Sequence, residues 1–490
     1  MPTTDSLSRD FILWLPLMVL TWWLAWKFQD PFISDWDGFD YTVCTVQGKP
    51  SALGLGRALF LGYNHFIWRI CHSGRIFPCS ASIPPEKAYL LLRYGAILLS
   101  GPAIAGLCSL VKELSGDRLA GFCAGLILAL SPYYVMYSGR SMSEIPGFFL
   151  LYWSLWWMMR SLRQQRVRNF LLAAVAIGLS ANIREFAVFY LPLIPIAAYL
   201  RGFRWKPGIT GFVLAVGAAL SGMGFWILKG GHLYWDSVTN WYRLSGHERA
   251  LNPVTWKNLS FFGDYSYNCS VAVVFLTPLA FGLLWIRKDL RPLLWLGVLG
   301  LLADLVLIAN HDLSLNPRYL LTGMVGLAPV CGWGVAVMLQ RNRWQGAVLV
   351  IGILILTLVN YIQLSGEVYW QQRNSRTAAQ FLRQVEKFPW NSGFIVGART
   401  PLINFYAGVE ARPYWKTISP GSGWPDEKLD EAIDDMLMAG RMVYVDFDPE
   451  IWQSGAREKS REAAGLRMIS ERYETTLIEH QIFRIVRKIR

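Results

Sequence analysis

A chain of 490 residues that is 53% hydrophobic, with 23 Trp and a mean hydropathy of +0.30, is not composed like a soluble globule of that length. Its apolar runs recur to about residue 364, the profile of a polytopic membrane protein, while the remainder is charged and mixed like a water-soluble domain. The formal net charge of +13 does not point to nucleic acid, because the basic residues form no stripe interleaved with stacking aromatics.

The first apolar span covers 11–28. Its leader is not positively charged, and bulky Trp and Phe stand where a signal peptide would need a small-residue cleavage site, so it reads as a retained helix. Next comes Ile33-Ser-Asp-Trp-Asp-Gly-Phe-Asp-Tyr41, which places Asp35, Asp37 and Asp40 within six residues of one another. Acids beside a bilayer are costly unless they face water, protein, a metal or a substrate, which makes this stretch the leading candidate for a reaction centre. Residues 54–71 mix apolar and aromatic side chains with Arg57, His65 and Arg69, a composition suited to a helix lying in the interface plane.

Further apolar spans fall at 89–111, 119–137, 146–159, 169–182, 186–200, 209–228, 271–286, 292–309, 318–338 and 344–364, about eleven in all. Several are shorter than the ~20 residues that cross a bilayer core. Charge tests the count. With the N-terminus inside, the connectors 112–118, 160–168, 201–208, 287–291 and 341–343 all fall inside, and every one carries Lys or Arg, as the positive-inside rule requires. The segments 29–88, 138–145, 183–185, 229–270, 310–317 and 365–490 then share the outer side. The expected organisation is a transmembrane domain over 1–364, with a large outer loop at 29–88, and a soluble extracytoplasmic α/β domain over 365–490.

Loop 229–270 is aromatic and basic, with Lys229, His232, Tyr234, Trp235, Trp241, Tyr242, Arg243, His247 and Arg249, and is a candidate lid. Beyond 364 the pattern predicts helices at 371–387 and 426–439 and strands at 394–397, 442–446 and 482–486, with a Pro/Gly loop at 419–425.

The chain lacks a G-x-x-x-x-G-K-[ST] phosphate loop, an H-E-x-x-H pair, a G-x-S-x-G elbow and any C-x-x-C pair. ATP-driven transport and serine-hydrolase chemistry lose weight accordingly. Cys44, Cys71, Cys79 and Cys269 lie in outer segments, where they can pair or stay free. The outer side also carries Glu144, four residues after Arg140, and Arg318 where a loop re-enters lipid. Each residue has a structural rival role: Asp35 as a helix cap, Arg140 with Glu144 as an i,i+4 pair, Arg318 as a snorkelling anchor, and His65, His72, His232 and His247 as interface residues. The triplet Asp35, Asp37 and Asp40 is also the one candidate for holding a divalent cation, Mg²⁺ or Mn²⁺.

Asp37-Gly-Phe-Asp-Tyr41, Leu130-Ser-Pro-Tyr-Tyr-Val-Met-Tyr-Ser-Gly-Arg-Ser-Met-Ser-Glu144, Asn316-Pro-Arg-Tyr319 and a terminal soluble domain occur in the same order as in the GT-C integral-membrane glycosyltransferases. The chain most resembles the branch containing the protein mannosyltransferases and the lipid A aminoarabinose transferases. The resemblance implies a GT-C-like helical membrane fold and transfer of a sugar from a polyprenyl-phosphate carrier to a lipid, glycan or protein acceptor outside a bacterial plasma membrane. It matches the first-loop acid to Asp37, with Tyr41 beside it, the second-loop acid to Glu144, and the Pro-Arg-Tyr motif to Pro317-Arg318-Tyr319. Two departures stand out. Asp40 precedes the matched Tyr where aminoarabinose transferases carry a basic residue, and the second acid is Glu where Asp is commoner.

In that chemistry the leaving phosphate needs charge neutralisation and the acceptor hydroxyl needs a base. Asp37 is then the expected base, with Glu144, Asp35 and Asp40 as further acids. Arg318, Arg140, Arg243 and Lys229 are the expected phosphate contacts, and Tyr41, Trp235, Tyr242 and His247 belong to the acceptor site or lid. The competing classes are a secondary transporter, for which Asp304 within a span is the one hint and no inverted repeat is seen, and a non-catalytic scaffold.

Overall fold

The computed structural model describes residues 4–51, 57–73, 85–203, 205–244, 256–310, 317–385, 387–389, 391–395, 405, 416–418, 426–446, 468–479 and 482–488. Its helices are α1 (Thr4–Lys27), α2 (Trp36–Gln47), α3 (Ala58–Ser73), α4 (Tyr89–Ser115), α5 (Arg118–Ala129), α6 (Pro132–Ser138), α7 (Glu144–Arg163), α8 (Val167–Ser180), α9 (Leu193–Leu200), α10 (Trp205–Leu244), α11 (Phe261–Asp264), α12 (Val271–Ile286), α13 (Arg291–Asn310), α14 (Leu320–Arg341), α15 (Arg343–Val385) and α16 (Asp426–Met438). The strands are β1 (Ser392–Ile395), β2 (Lys416–Ile418), β3 (Met442–Asp446), β4 (Tyr473–Glu479) and β5 (Ile482–Lys488). The chain divides into two compact units: Met1–Asp30 with Gly48–Ile67 and Leu90–Trp370, and Pro31–Gln47 with Trp68–Tyr89 and Gln371–Arg490.

The first unit is helical, and every apolar span read from the sequence carries helix. Among the described residues, five helical segments are long and apolar enough to cross a membrane: Tyr89–Ser115, Trp205–His232, Lys288–Ala309, Leu320–Arg341 and Arg343–Gly366. Helices α5 and α6, bent by 70°, make a sixth if they form one span. The count of about eleven reaches beyond this test of length and composition. Helix α14 is the most deeply buried of these segments and packs against α5, α12 and α13. Close approach depends on small residues there. A Cβ on Gly326 would lie 2.1 Å from the Leu296 carbonyl oxygen, so only glycine lets α13 and α14 touch backbone to backbone.

The second unit contains a five-stranded sheet in the order β2-β1-β3-β5-β4, with β2, β1 and β3 parallel and β5 and β4 antiparallel. Strand alternation divides its core in two. Ile395, Val443, Val445 and Ile485 face Leu429, Ile433 and Met436 of α16. On the other side Phe394 and Tyr444 pack with Phe388 and Phe405, and this cluster takes in Phe32 and Ile33 together with Phe39, Val43 and Val46 of α2. Helix α2, which carries the acidic motif, is thus fixed to the sheet by its apolar face.

Two expectations are corrected and two strands were missed. Residues 229–244 are not loop but the continuation of α10, which breaks only at Gly231 (φ 57°, ψ −142°), a backbone conformation that glycine adopts without strain. The helix predicted at 371–387 is not separate: no proline interrupts 364–371, and α15 runs unbroken to Val385. Strands β2 and β4 were not predicted, because both are sheet edges and lack the two-sided apolar signal of β1 and β3. Of the cysteines that could pair or stay free, Cys71 and Cys269 carry free thiols and Cys44 forms no disulfide among the described residues, while Cys79 lies outside them.

An acid-sensitive contact closes the open side of α16. The Lys488 ammonium donates to Asp430 (3.0 Å) and Asp434 (2.6 Å), and the Tyr473 hydroxyl lies against both carboxylates. Burial by itself raises the Asp430 carboxyl, but the Tyr473 and Lys488 hydrogen bonds and the nearby Arg472 charge outweigh it and hold the group below the usual carboxylate range. A depressed folded value stabilises the fold at pH above the ordinary Asp value of about 4, and that stabilisation is lost as pH falls through the lower folded value. Asp430→Asn is therefore expected to lower the melting temperature near neutral pH and to converge with wild type in acid. Thermal unfolding of the full chain at stepped pH checks this, and a constant gap between the two proteins would refute it.

Candidate active site

Two groups of side chains contain the acids singled out from sequence, together with Tyr41, Arg140 and Arg318. Asp35, Asp37, Asp40 and Tyr41 belong to the second unit, and Glu144, Arg140 and Arg318 to the first.

In the second unit, the Asp35 carboxylate accepts the Asp37 amide (3.3 Å) and its carbonyl accepts the Gly38 amide (3.0 Å), which caps the start of α2. Asp37 follows in the first turn, where the helix N-terminus favours negative charge. Tyr41, one turn on and fully buried, donates its hydroxyl to Asp37 Oδ2 at 3.1 Å. Asp40, three residues after Asp37, takes the Cys44 thiol at 3.7 Å. Among the described residues no three His, Cys, Asp or Glu side chains come together as metal ligands, and the 35/37/40 triplet is no exception.

In the first unit, the segment after α6 is drawn against the end of α1. A Cβ on Gly139 would lie 2.6 Å from Gln29 Cα, and the Asp30 amide donates to the Gly139 carbonyl at 3.1 Å. This approach sets Arg140 Nε 3.5 Å from Asp30 Oδ2, with the guanidinium 4.7 Å from the centre of the Tyr137 ring. Arg93 donates to the Asp30 carbonyl oxygen from α4.

Glu144 opens α7 and is 1% exposed. Arg184 Nη2 stands 3.0 Å from its Oε1, and Arg318 Nε 3.8 Å from the same atom. Glu185 continues the chain of charges through Arg57, whose Nε is 3.1 Å from Oε1. One acid between two buried arginines is therefore the polar centre of this unit. Among the described residues Arg184 Nη1, Glu144 Oε2 and the Ser143 hydroxyl have no hydrogen-bond partner, so the centre presents a donor, an acceptor and a hydroxyl that can act as either to a polar ligand.

Glu144 and Arg318, 174 positions apart in the numbering, are thus brought together. The remaining candidates are placed differently. Lys229 donates to the Gly48 carbonyl (2.7 Å) and lies 5.3 Å from the centre of the Trp226 ring. Trp235 is half exposed on α10. Tyr242 and Arg243 end α10 with side chains outside the described set, and His247 lies outside it altogether.

Arg184, Glu185, Arg57 and Asp30 were not singled out as site residues. The available signal was the connector 183–185, where two of three residues are charged between apolar spans, a placement that marks a functional candidate in membrane proteins.

The family model of dolichyl-phosphate-mannose-protein mannosyltransferases matches residues 87–226, a stretch that includes Arg140, Glu144 and Arg184 but neither Asp37 nor Arg318. No curated protein matches the chain in sequence. Among solved structures, ArnT from Cupriavidus metallidurans bound to undecaprenyl phosphate is similar with a TM-score of 0.60 at 11% identity, over 97% of each chain. The oligosaccharyltransferase of Archaeoglobus fulgidus in its apo form is similar with a TM-score of 0.55 at 11% identity, over 94% of this chain and 73% of that one. At such identity the likeness is one of fold. With the family-model match, it bears out the resemblance to the GT-C superfamily read from the sequence motifs.

Proposed function

We propose that this chain is a membrane glycosyltransferase that moves a sugar from a polyprenyl-phosphate donor to an acceptor hydroxyl on the extracytoplasmic side, by a single inverting displacement. The observation that carries the reading is the buried Glu144–Arg184–Arg318 centre, built at the starts of α7 and α14 in a chain of GT-C-like fold. Buried charge is costly to maintain, and two arginines around one acid suit a ligand bearing a phosphate and hydroxyls. That ArnT was solved with undecaprenyl phosphate supports a carrier of this class.

Roles follow from the chemistry. Arg318, Arg184 and Arg140 contact the donor phosphate, and their guanidinium forks neutralise charge on the departing oxygen. Glu144 holds Arg184 and Arg318 in place and positions a hydroxyl. Asp37 takes the proton from the acceptor oxygen as that oxygen bonds to the anomeric carbon and the carbon–phosphate-oxygen bond breaks. Sugar leaves with the acceptor, and polyprenyl phosphate remains. An N-terminus in the cytoplasm and a terminal domain outside follow from the basic connectors.

The test is transfer of radiolabelled sugar from short-chain polyprenyl-phosphate donors by the purified full chain in lipid, scored as water-soluble or acceptor-linked label. Wild type is expected to turn over. No turnover across a panel of sugars and acceptors, in protein that binds polyprenyl phosphate no better than the Arg184→Ala variant does, would overturn the assignment.

A further inference from the structure

Asp304 is 1% exposed in the middle of α13, a helix that is otherwise apolar over most of its length. Among the described residues its partners are the Tyr265 hydroxyl and the Gly323 amide, whose nitrogen is 2.9 Å from Oδ1, and neither is a cation. The same Tyr265 hydroxyl lies 2.9 Å from the Leu320 carbonyl oxygen. A hydroxyl has one proton, so it cannot donate to an ionised Asp304 and to Leu320 together.

A proton on Asp304 resolves the count. The acid then donates to Tyr265 Oη, Tyr265 donates to the Leu320 carbonyl, and the Gly323 amide donates to the other carboxyl oxygen. Every group is satisfied, and no charge is buried among apolar helices. The contact also requires glycine at 323, because a Cβ there would lie 1.8 Å from Asp304 Oδ2.

What this holds is the start of α14. Leu320 and Gly323 are tied to Tyr265 and Asp304, and Thr322 is tied by the Tyr190 hydroxyl at 2.6 Å. Arg318 sits in the 3₁₀ turn Pro317–Tyr319 directly before that helix, with its guanidinium turned to Glu144. We propose that Asp304, held as a neutral carboxylic acid, is a positioning residue that pins the first turn of α14 and so aims Arg318 at Glu144. The positioning half rests on the reading of Arg318 as a phosphate contact; the hydrogen-bond assignment does not.

The experiment has two arms. Infrared spectra of the full-length protein in lipid are expected to show a protonated-carboxyl C=O band that is missing in Asp304→Asn; identical spectra overturn the neutral acid. In the second arm Asp304→Asn, whose amide offers the same donor and acceptor, is expected to keep donor KM and kcat within about threefold of wild type. Asp304→Leu, and the milder Tyr265→Phe should the leucine variant fail to fold, are expected to raise donor KM about tenfold, with little further loss when Arg318→Ala is added. Losses that multiply independently overturn the positioning role. The same double-mutant cycle run on thermal unfolding needs no substrate, so failure of the transferase reading and failure of this inference are separable.

Discussion

Glu144→Ala is expected to lower the stability of the full chain by about 3–5 kcal/mol and to abolish transfer, because it leaves two arginines buried without their acid. Glu144, Arg184 and Arg318 are 1%, 5% and 7% exposed, so water cannot replace the lost partner without the helices parting. Stability and function are separable in a second variant. Glu144→Gln combined with Arg184→Gln removes one charge of each sign and is expected to recover most of the stability, within about 1–2 kcal/mol of wild type. Transfer is not expected to return, since one phosphate contact, Arg184, and the acid that positions Arg318 are both gone. Thermal unfolding in detergent and the radiolabel assay, run on the same preparations, check both halves. A double variant that regains activity would make the centre structural only.

Much of this architecture was written in residue type, and the missing parts have physical causes. The run of apolar spans and basic connectors anticipated helices α1, α4–α10 and α12–α15 because lipid permits few alternatives to helix. Glu144 and Arg318 were legible because each sits in a short motif where a connector meets an apolar span. Their mutual partner, Arg184, was not, because a three-residue connector has no periodicity to interpret and its role depends on α7 and α8 packing side by side. The pairing of Arg140 with Asp30 was hidden similarly: sequence offers Glu144 four residues away, whereas the fold turns Arg140 to the end of α1 through the close approach at Gly139. In the second unit, β3 was read to its boundaries, since alternating Val443, Tyr444 and Val445 face two different cores. The attachment of α2 to that sheet was not legible, because Phe32, Ile33 and Phe39 read equally well as membrane-interface residues.

Asp37→Asn is the substitution expected to cost the most in rate with the least in fold. Two accounts of Asp37 predict different magnitudes. As a helix-terminal acid in the first turn of α2 it contributes about 0.3–1 kcal/mol through the helix dipole, and losing it would change melting slightly and transfer not at all. As the base that deprotonates the acceptor it contributes about 10²–10⁴-fold to kcat, with donor KM nearly unchanged because the phosphate contacts are untouched. Tyr41→Phe refines the choice. Its hydroxyl donates to Asp37 Oδ2 at 3.1 Å from a fully buried ring, so Tyr41→Phe removes one hydrogen bond to the carboxylate and keeps the ring that packs beside it. A loss of about tenfold in kcat is expected, the size of one hydrogen bond to a charged group. Equal and small effects of both substitutions on melting, with a large and ordered loss of kcat, Asp37→Asn beyond Tyr41→Phe, would identify the carboxylate as the base. If transfer survives Asp37→Asn while Tyr41→Phe lowers only the melting temperature, the pair is an anchor for α2 and the base must be sought among the other acids.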